Sequence, residues 1–366
     1  MDSRERVFLA LDHQEPDRVP RDFWATKEIV DRLKEHLGLA DKQAIWDHFD
    51  VDIRYIQGPK YTGPELKVFD DGSVNDIWGV PRILRTTGTE EDNTLQSYWS
   101  VTEYPLSDVT EVEQLEDYHY WPNPDWFDYS VVYEQARAVR EQKRVCAFMG
   151  DRLNRFAQLK PAMYLRGIDQ ALVDMVIEKD VFNAITERLT RFYNEYLTRI
   201  TEASKGLIDI MVTGDDFGHQ ASTLCSPDMW KDMLKDGFRN YIELAHQSGA
   251  KVMHHTCGSI YSLIPEFIDC KLDILQALQP DTHEMDFDRI KNEFGDKLCF
   301  QGSVGIQKAL PFGTPEEVRQ EVKDRIEALA PGGGFIISTS HNIQGDTQVE
   351  NVMALIEAYD EFSSYS

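Results

Sequence analysis

Two apolar runs, IDIMVTGDD at residues 208–216 and AKVMHHTCG at residues 250–258, enclose the stretch that decides the fold. Between them, Ser226-Pro227 is typical of a helix N-cap followed by a first-turn proline, and Gly249 stands where that helix would end. A buried strand, a helix and a second buried strand form a unit whose two strands run parallel. The sequence therefore predicts a parallel sheet covered by helices.

Six further runs share this continuously apolar character, which is typical of strands covered on both faces. The eight predicted strands are 18–25, 51–57, 144–150, 208–216, 250–258, 274–278, 298–304 and 334–341. Helix signals fall between them, such as Thr314-Pro315-Glu316-Glu317, and the chain closes with an amphipathic stretch at 349–362. Eight strands alternating with helices predict an α/β fold, a (β/α)8 TIM barrel, with residues 1–366 as one domain.

Residues 58–143 do not follow this alternation. They contain an aromatic and proline-rich tract, YHYWPNP at 118–124. We interpret residues 58–143 as an insertion after the second strand, near the barrel mouth. The aromatic tract is interpreted as packing, with a role in lining the site as the alternative.

The charge balance restricts the partners. The chain has 38 Lys and Arg against 64 Asp and Glu, a net charge of −26, which repels nucleic-acid phosphates and anionic membranes. The N-terminal MDSRER is charged where a signal peptide is apolar, and no run approaches the roughly 18 apolar residues of a spanning helix. A cytoplasmic protein is expected. The five cysteines do not predict a disulfide framework.

The strand ends carry most of the candidate functional residues, because in a barrel the carboxyl ends of all strands meet at one mouth. At or just beyond the predicted ends stand Trp24, Gln57, Asp151, Asp215, Asp216, His219, Gln220, His255, Cys257, Gln276, Gln279, Gln301 and His341. We expect five of them to bind substrate: Trp24, Gln57, Gln276, Gln301 and His341.

His255 and Cys257 form the sharpest pair. Residues two apart on a strand point to the same side, and an imidazole beside a thiolate suits Zn²⁺. A third ligand must come from another strand, and His341 ends the eighth strand at the same mouth; Cys225 and the two aspartates at 215 and 216 are alternatives. The competing interpretation is a hydrogen-bonded packing histidine and an inert buried cysteine.

Asp215 and Asp216 are neighbours on one predicted strand, so at most one of them faces the mouth. We predict that this pair and His219 act as general acid or base, or anchor the substrate. A carboxylate that caps a loop or helix is the alternative for either aspartate.

Several motifs follow one another in a fixed order. They are VMHHTCGS at 252–259, LCFQGSV at 298–304, GGGFIIS at 332–338, SHNI at 340–343 and VENV at 349–352. In this order they resemble the uroporphyrinogen decarboxylase superfamily, most clearly over residues 206–362. The opening, from RER at 4–6 to PDRVP at 16–20, is also similar. The resemblance implies a TIM barrel and one of two chemistries.

The first chemistry is porphyrinogen decarboxylation. True decarboxylases carry an arginine-rich Met-Arg-Gln-Ala-Gly-Arg segment and an essential aspartate in Phe-Ser-Asp after the second strand. The corresponding stretches here are PRDFWAT at 20–26, with one arginine, and YIQ at 55–57, with Gln57 in place of the aspartate. Glutamine lacks the negative charge that stabilises protonated pyrrole intermediates. The comparison of motifs therefore disfavours this chemistry.

The second chemistry is corrinoid-dependent methyl transfer. That branch carries His-x-Cys after the fifth strand as two zinc ligands, as in His255-Thr256-Cys257 here. In the branch that methylates a thiol coenzyme the third ligand is a cysteine after the eighth strand, where this chain has His341. Since the decarboxylases use a histidine there to bind substrate, both roles stay open for His341.

The resemblance thus implies a zinc-assisted methyltransferase. It would move a methyl group between a small heteroatom-methyl substrate, such as an O-methyl ether undergoing demethylation, and cobalamin carried by a separate corrinoid protein. A decarboxylase acting on a carboxylated substrate, a non-catalytic barrel that binds a ligand or the corrinoid protein, and a zinc hydrolase are the alternatives.

Overall fold

The computed structural model describes residues 1–89, 95–150 and 155–365. Within these ranges the strands are β1 (Ile53–Ile56), β2 (Lys60–Tyr61), β3 (Val74–Asn75), β4 (Pro81–Thr87), β5 (Gln96–Val101), β6 (Phe127–Asp128), β7 (Val145–Phe148), β8 (Ile210–Gly214), β9 (Lys251–His255), β10 (Ile274–Ala277), β11 (Cys299–Val304) and β12 (Phe335–Thr339). The helices of the same ranges are α1 (Ser3–Leu11), α2 (Lys27–Leu37), α3 (Lys42–His48), α4 (Val132–Glu141), α5 (Leu159–Arg166), α6 (Ile168–Asp174), α7 (Lys179–Ser204), α8 (Pro227–Met233), α9 (Lys235–Gln247), α10 (Ile264–Asp269), α11 (Phe287–Phe294), α12 (Ala309–Phe312), α13 (Pro315–Leu329) and α14 (Val349–Phe362).

Seven of these strands form one parallel sheet in the order β1-β7-β8-β9-β10-β11-β12. Every neighbouring pair in this sheet is parallel, and helices connect the successive strands from β7 to β12. The predicted α/β architecture of TIM-barrel type is confirmed, and the seven strands coincide with seven of the eight predicted runs.

The remaining run, 18–25, was wrongly predicted as a regular strand, although it lies between β12 and β1 where the eighth strand of a barrel belongs. The Ile337 N–H donates to the Pro20 carbonyl (2.8 Å), and the Asp52 N–H donates to the Arg21 carbonyl (3.0 Å). The Arg21 N–H bonds instead to the Asp52 carboxylate (2.8 Å), and Pro20 has no N–H. The segment therefore closes the gap with isolated bridges rather than a continuous ladder.

The interior of the barrel has two levels. The lower level is apolar and includes Ile53, Val145, Ile210, Met253, Ile274 and Cys299. Two residues further along β9, β10 and β11 stand His255, Gln276 and Gln301, which are in register with one another. Because strand residues alternate, they face the same interior at the carboxyl ends of the strands. The upper level is therefore polar and lies at the mouth.

The insertion at 58–143 follows β1, the second predicted strand, as expected. Its described part pairs β2 with β6 and forms a three-stranded antiparallel sheet of β3, β4 and β5. A Cβ on Gly345 would lie 2.0 Å from the Leu95 carbonyl oxygen, so the residue before β5 contacts the loop after β12. In the aromatic tract, the Tyr118 and Trp121 rings pack 5.2 Å apart.

One predicted helix is divided. The stretch from Ser226 to Gln247 forms α8 and α9, which meet at the buried Leu234. The Leu234 carbonyl accepts a hydrogen bond from the Gln158 side chain (2.9 Å), which gives this break a polar partner. The predicted cap is confirmed, since Ser226 Oγ accepts from the Met229 N–H (3.2 Å). None of the helices in the described ranges combines the length and apolarity needed to span a bilayer.

Candidate active site

Three side chains with metal-binding atoms meet at the mouth. His255 ends β9, Cys257 follows two residues later, and His341 comes from the loop after β12. One ring nitrogen of each histidine and the Cys257 sulfur all lie within 4.8 Å of one another, and the Cys257 Sγ is 3.5 Å from His255 Nε2. Among the residues that the structure describes, this is the one group of its kind. The structure thus brings together the three predicted ligands.

Gln276 orients the His255 ring. The two residues are register partners on β10 and β9, and the ring Nδ1–H donates to Gln276 Oε1. This leaves the lone pair of Nε2 facing Cys257 and His341. Fixing one ring nitrogen so that the other can ligate is the usual arrangement around a metal-binding histidine. Gln276 is fully buried and positions the His255 ring, while its predicted substrate contact stays a prediction.

The protonation states of the three side chains follow from their burial. Burial lowers the pKa of His255 to about 3 and also lowers the pKa of His341, so both imidazoles are neutral and carry a lone pair. Burial and the neighbouring Asp216 raise the pKa of Cys257 to about 12. The thiol keeps its proton until a cation displaces it, and a divalent metal does so. This donor set fits Zn²⁺, which takes nitrogen and sulfur ligands.

Asp216 is the aspartate that faces the site. Its Oδ1 lies 3.7 Å from His255 Nε2 and accepts a hydrogen bond from the Cys257 N–H (3.2 Å), while its Oδ2 pairs with the Lys160 ammonium. Burial alone would raise the pKa of Asp216, but Lys160 and His255 hold it well below its usual range. Lys160 was not predicted, because it lies at the start of α5 rather than at a strand end.

Asp215 points the other way and is 2% exposed. Its carboxylate accepts the backbone N–H groups of Gln158 (2.7 Å), Leu159 (2.7 Å) and Lys160 (2.6 Å), the first turn of α5. These N–H groups have no partner inside the helix, so the carboxylate caps it. Burial raises the pKa of Asp215 to about 6. Asp215 thus caps α5, and its catalytic role stays a prediction.

The Trp24 ring lies beside the His255 ring, with ring centroids 6.0 Å apart. Its Nε1–H donates to the buried Asp22 (2.9 Å), which also accepts from the Tyr55 hydroxyl (2.5 Å) and Gln301 Nε2 (3.0 Å). Burial raises the pKa of Asp22 to about 6. Gln301 is fully buried and belongs to this network, while its substrate contact stays a prediction. Asp22 was missed, although it precedes Trp24 by two residues and shares its side.

A cavity of about 540 Å³ opens beside the three side chains, with Cys257 and His341 in its wall. This volume lies in the range of small-molecule sites, roughly 300–1,000 Å³. His219 also lines the cavity, but its Nδ1 accepts from the Ala221 N–H (3.3 Å) and its Nε2 bonds to Ser222 Oγ (2.9 Å). Both ring nitrogens are engaged within their own loop, and the acid–base role of His219 stays a prediction.

Two further predicted residues, Gln57 and Cys225, are not among the three grouped side chains. Gln57 is exposed just beyond β1, and its role stays a prediction. Cys225, one of the alternatives for the third ligand, is buried and does not belong to the three-residue group. Asp151 lies outside the described residues.

Comparisons with known proteins agree with this picture. A family model described as Uroporphyrinogen decarboxylase (URO-D) matches residues 98–362. The chain is 30% identical over 193 residues to a uroporphyrinogen decarboxylase of Coxiella burnetii, covering 51% of this chain and 49% of that protein. It is 25% identical over 179 residues to a methylcobamide:CoM methyltransferase of Methanosarcina barkeri, covering 47% and 50%. The matches span half or less of the length of these curated relatives.

A solved structure shares the fold over the whole chain. The methyltransferase from Methanosarcina mazei superposes with a TM-score of 0.70 over 99% of both chains, at 18% sequence identity. This likeness shows that the overall fold of the chain is already known from another protein.

Proposed function

Because the chain belongs to the uroporphyrinogen decarboxylase family and has a methylcobamide:CoM methyltransferase among its relatives, we propose that it is a zinc-assisted, corrinoid-dependent methyltransferase. The methyl group passes between a heteroatom of a small substrate, an O-methyl ether being one candidate, and cobalamin held by a separate corrinoid protein. The observation that carries this proposal is the convergence of His255, Cys257 and His341 beside the 540 Å³ cavity.

The chain's own residues prepare a metal site with an open position. In the proposal His255 Nε2, Cys257 Sγ and His341 hold Zn²⁺, and Gln276 keeps the His255 ring in the ligating tautomer. Three protein ligands leave the fourth position to the substrate, as in catalytic zinc sites. When bound there, zinc supplies the Lewis acidity that polarises an ether, amine or thiol heteroatom.

Lys160 and Asp216 handle the proton in this proposal. When an ether loses its methyl group, the C–O bond breaks, its electron pair stays on the leaving oxygen, and that oxygen takes up a proton. Asp216 Oδ2 holds the Lys160 ammonium beside Cys257 and His255, where it can deliver that proton. In the opposite direction the same pair receives the proton that a heteroatom loses when it is methylated.

Several relatives are named uroporphyrinogen decarboxylase, which favours the decarboxylase alternative. The ion pairs of the two arginines in residues 18–25 disfavour it. Arg21 is 3% exposed and pairs with Asp360 (2.7 Å), and Arg18 pairs with Asp52 (2.8 Å). Both guanidinium groups are thus engaged in ion pairs within the chain, whereas a substrate with several carboxylates needs free cations to receive them.

The test is methyl transfer to and from free cobalamin. The zinc-loaded chain is mixed with cob(I)alamin and ether, amine or thioether methyl donors, and formation of methylcobalamin is followed by its absorption spectrum. We expect conversion with wild type and with the control Cys225→Ala, and none with Cys257→Ala. Failure with every donor, together with formation of coproporphyrinogen from uroporphyrinogen above a heat-killed control, would establish the alternative.

A further inference from the structure

Four glutamines surround the outer part of the cavity, and each comes from a different loop. Gln220 follows β8, Gln279 follows β10, Gln307 follows β11 and Gln344 follows β12. We refer to these four residues as the glutamine rim. Cys257 and His341 lie in the wall of the same cavity. A ligand that rests on the rim is therefore next to the metal-binding group.

The amides of the rim are oriented by hydrogen bonds. Gln279 Nε2 donates to Gln220 Oε1 (3.0 Å), and Gln220 Nε2 donates to Gln307 Oε1 (3.3 Å). This series of hydrogen bonds begins at the Gly258 N–H, which donates to Gln279 Oε1 (3.1 Å). The Gln307 amide N–H₂ thus remains available as a donor, and each bonded amide keeps one further N–H or lone pair.

Gln344 supplies the opposite polarity. Its Nε2 donates to the Asn342 carbonyl (2.7 Å), which leaves its Oε1 as an acceptor. The rim therefore offers donors and acceptors side by side, the pattern that a carboxamide group of a ligand can match in both directions.

Apart from the proposed zinc, the cavity is also uncharged. None of its described lining residues is Asp, Glu, Lys or Arg. Lys308, which follows Gln307, pairs with Asp281 and is neutralised by it. A carboxylate on the rim has no N–H for the Gln344 Oε1 acceptor, whereas a carboxamide offers both a donor and an acceptor to the glutamines.

We propose that the glutamine rim binds the peripheral carboxamide groups of a corrin ring and so selects an amidated corrinoid over a tetrapyrrole that carries carboxylates. The inference rests on the proposed function, because it takes the corrinoid as the methyl partner. It adds the residues by which this chain distinguishes the two kinds of ring. These residues are neutral amides, which pair with the donors and acceptors of other amides.

The experiment measures binding of corrinoid without turnover. The zinc-loaded full chain is titrated with methylcobalamin, and with methylcobalamin whose ring carboxamides have been hydrolysed to carboxylates, using quenching of tryptophan fluorescence. Wild type is expected to bind the amide form about tenfold more tightly or better. Gln307→Glu should weaken binding of the amide form about tenfold, and Gln307→Arg should reduce or invert the preference.

A matched control makes the same charge change elsewhere. Gln142 is exposed at the end of α4, on the face of the barrel opposite the mouth, and Gln142→Glu should bind both corrinoids as wild type does. Zinc content, measured in every variant, should equal that of wild type and shows that the fold at the mouth is intact.

The outcomes separate this inference from the proposed function. Equal binding of the two corrinoids by wild type, no measurable binding of either, or unchanged dissociation constants in both Gln307 variants overturns the rim assignment. If methyl transfer persists in that case, the proposed function stands alone. If the amide preference is found but no donor is demethylated, the rim assignment stands and the proposed function fails.

Discussion

The two levels of the barrel interior differ by only two residues along each strand. On β9, Met253 packs in the lower level and His255 lies in the upper one; on β10, Ile274 and Gln276 are related in the same way. Strand alternation gives both members of each pair the same orientation, so height in the barrel separates them. Residues that pack the core and residues that form the site therefore lie at different levels of the same strand. A substitution at one level should leave the other level intact.

The largest expected effect is loss of metal from the upper level. Cys257→Ala should weaken zinc binding by more than about 100-fold, because removing a ligand costs more than the 10–100-fold typical of a residue that only supports one. The stability of the metal-free protein should change little, since Cys257 lies above the apolar level. Elemental analysis after dialysis and denaturant unfolding of the apo chain check the two statements. Retention of one zinc per chain by the variant would contradict the ligand assignment.

A substitution in the lower level should have the opposite effect, with lower stability and unchanged zinc content. Ile274→Ala removes a fully buried side chain and should lower the free energy of unfolding by about 2–5 kcal/mol. The zinc content of the folded fraction should stay at the wild-type value. Urea unfolding and elemental analysis of the same preparation measure both quantities. The separation of levels fails if this variant loses zinc while its stability is unchanged.

A smaller effect is expected at Gln276, two residues from Ile274. Gln276→Leu removes the acceptor for the His255 Nδ1–H and should weaken zinc binding about 10–100-fold. Gln276→Glu keeps an acceptor at the same place and should restore the affinity, which distinguishes positioning from packing. Competition with a chromogenic chelator gives the dissociation constants. The positioning role is wrong if both variants bind zinc as wild type does.

The smallest expected effect concerns pH. Burial raises the pKa of Asp22 to about 6, above the value of about 3.9 in an unfolded chain. The folded state therefore binds this proton more tightly, and the contribution of Asp22 to unfolding free energy falls as pH rises from about 4 to about 6 and is constant above. Urea unfolding of the metal-free chain at pH 4.5 and 6.5 should show a smaller difference in Asp22→Asn than in wild type. Equal differences in the two proteins would exclude Asp22 as the source.

Much of the fold and the core of the site followed from the sequence. Seven strands and the meeting of His255, Cys257 and His341 were predictable, because strand alternation and ring closure are geometric rules that apply before any side chain is placed. The zinc ligation itself stays a prediction, as does the treatment of residues 1–366 as one domain.

Other features depend on contacts that a sequence pattern does not contain. Alternation indicated that only one of Asp215 and Asp216 faces the mouth, but the three N–H groups of α5 decide which. The positioning role of Gln276 depends on its bond to His255, and Lys160 reaches Asp216 from a helix start. The interruption at 18–25 arises because a distant carboxylate takes a backbone N–H.

Zinc K-edge X-ray absorption of the reconstituted wild-type chain tests the central claim most directly. We expect one sulfur at about 2.3 Å from the zinc and two imidazole nitrogens at about 2.0–2.1 Å from it, with a light atom in the remaining position. The sulfur should be missing from the spectrum of Cys257→Ala loaded with excess zinc. A wild-type spectrum with oxygen and nitrogen neighbours alone, or a desalted wild-type protein that retains no zinc, would contradict the account.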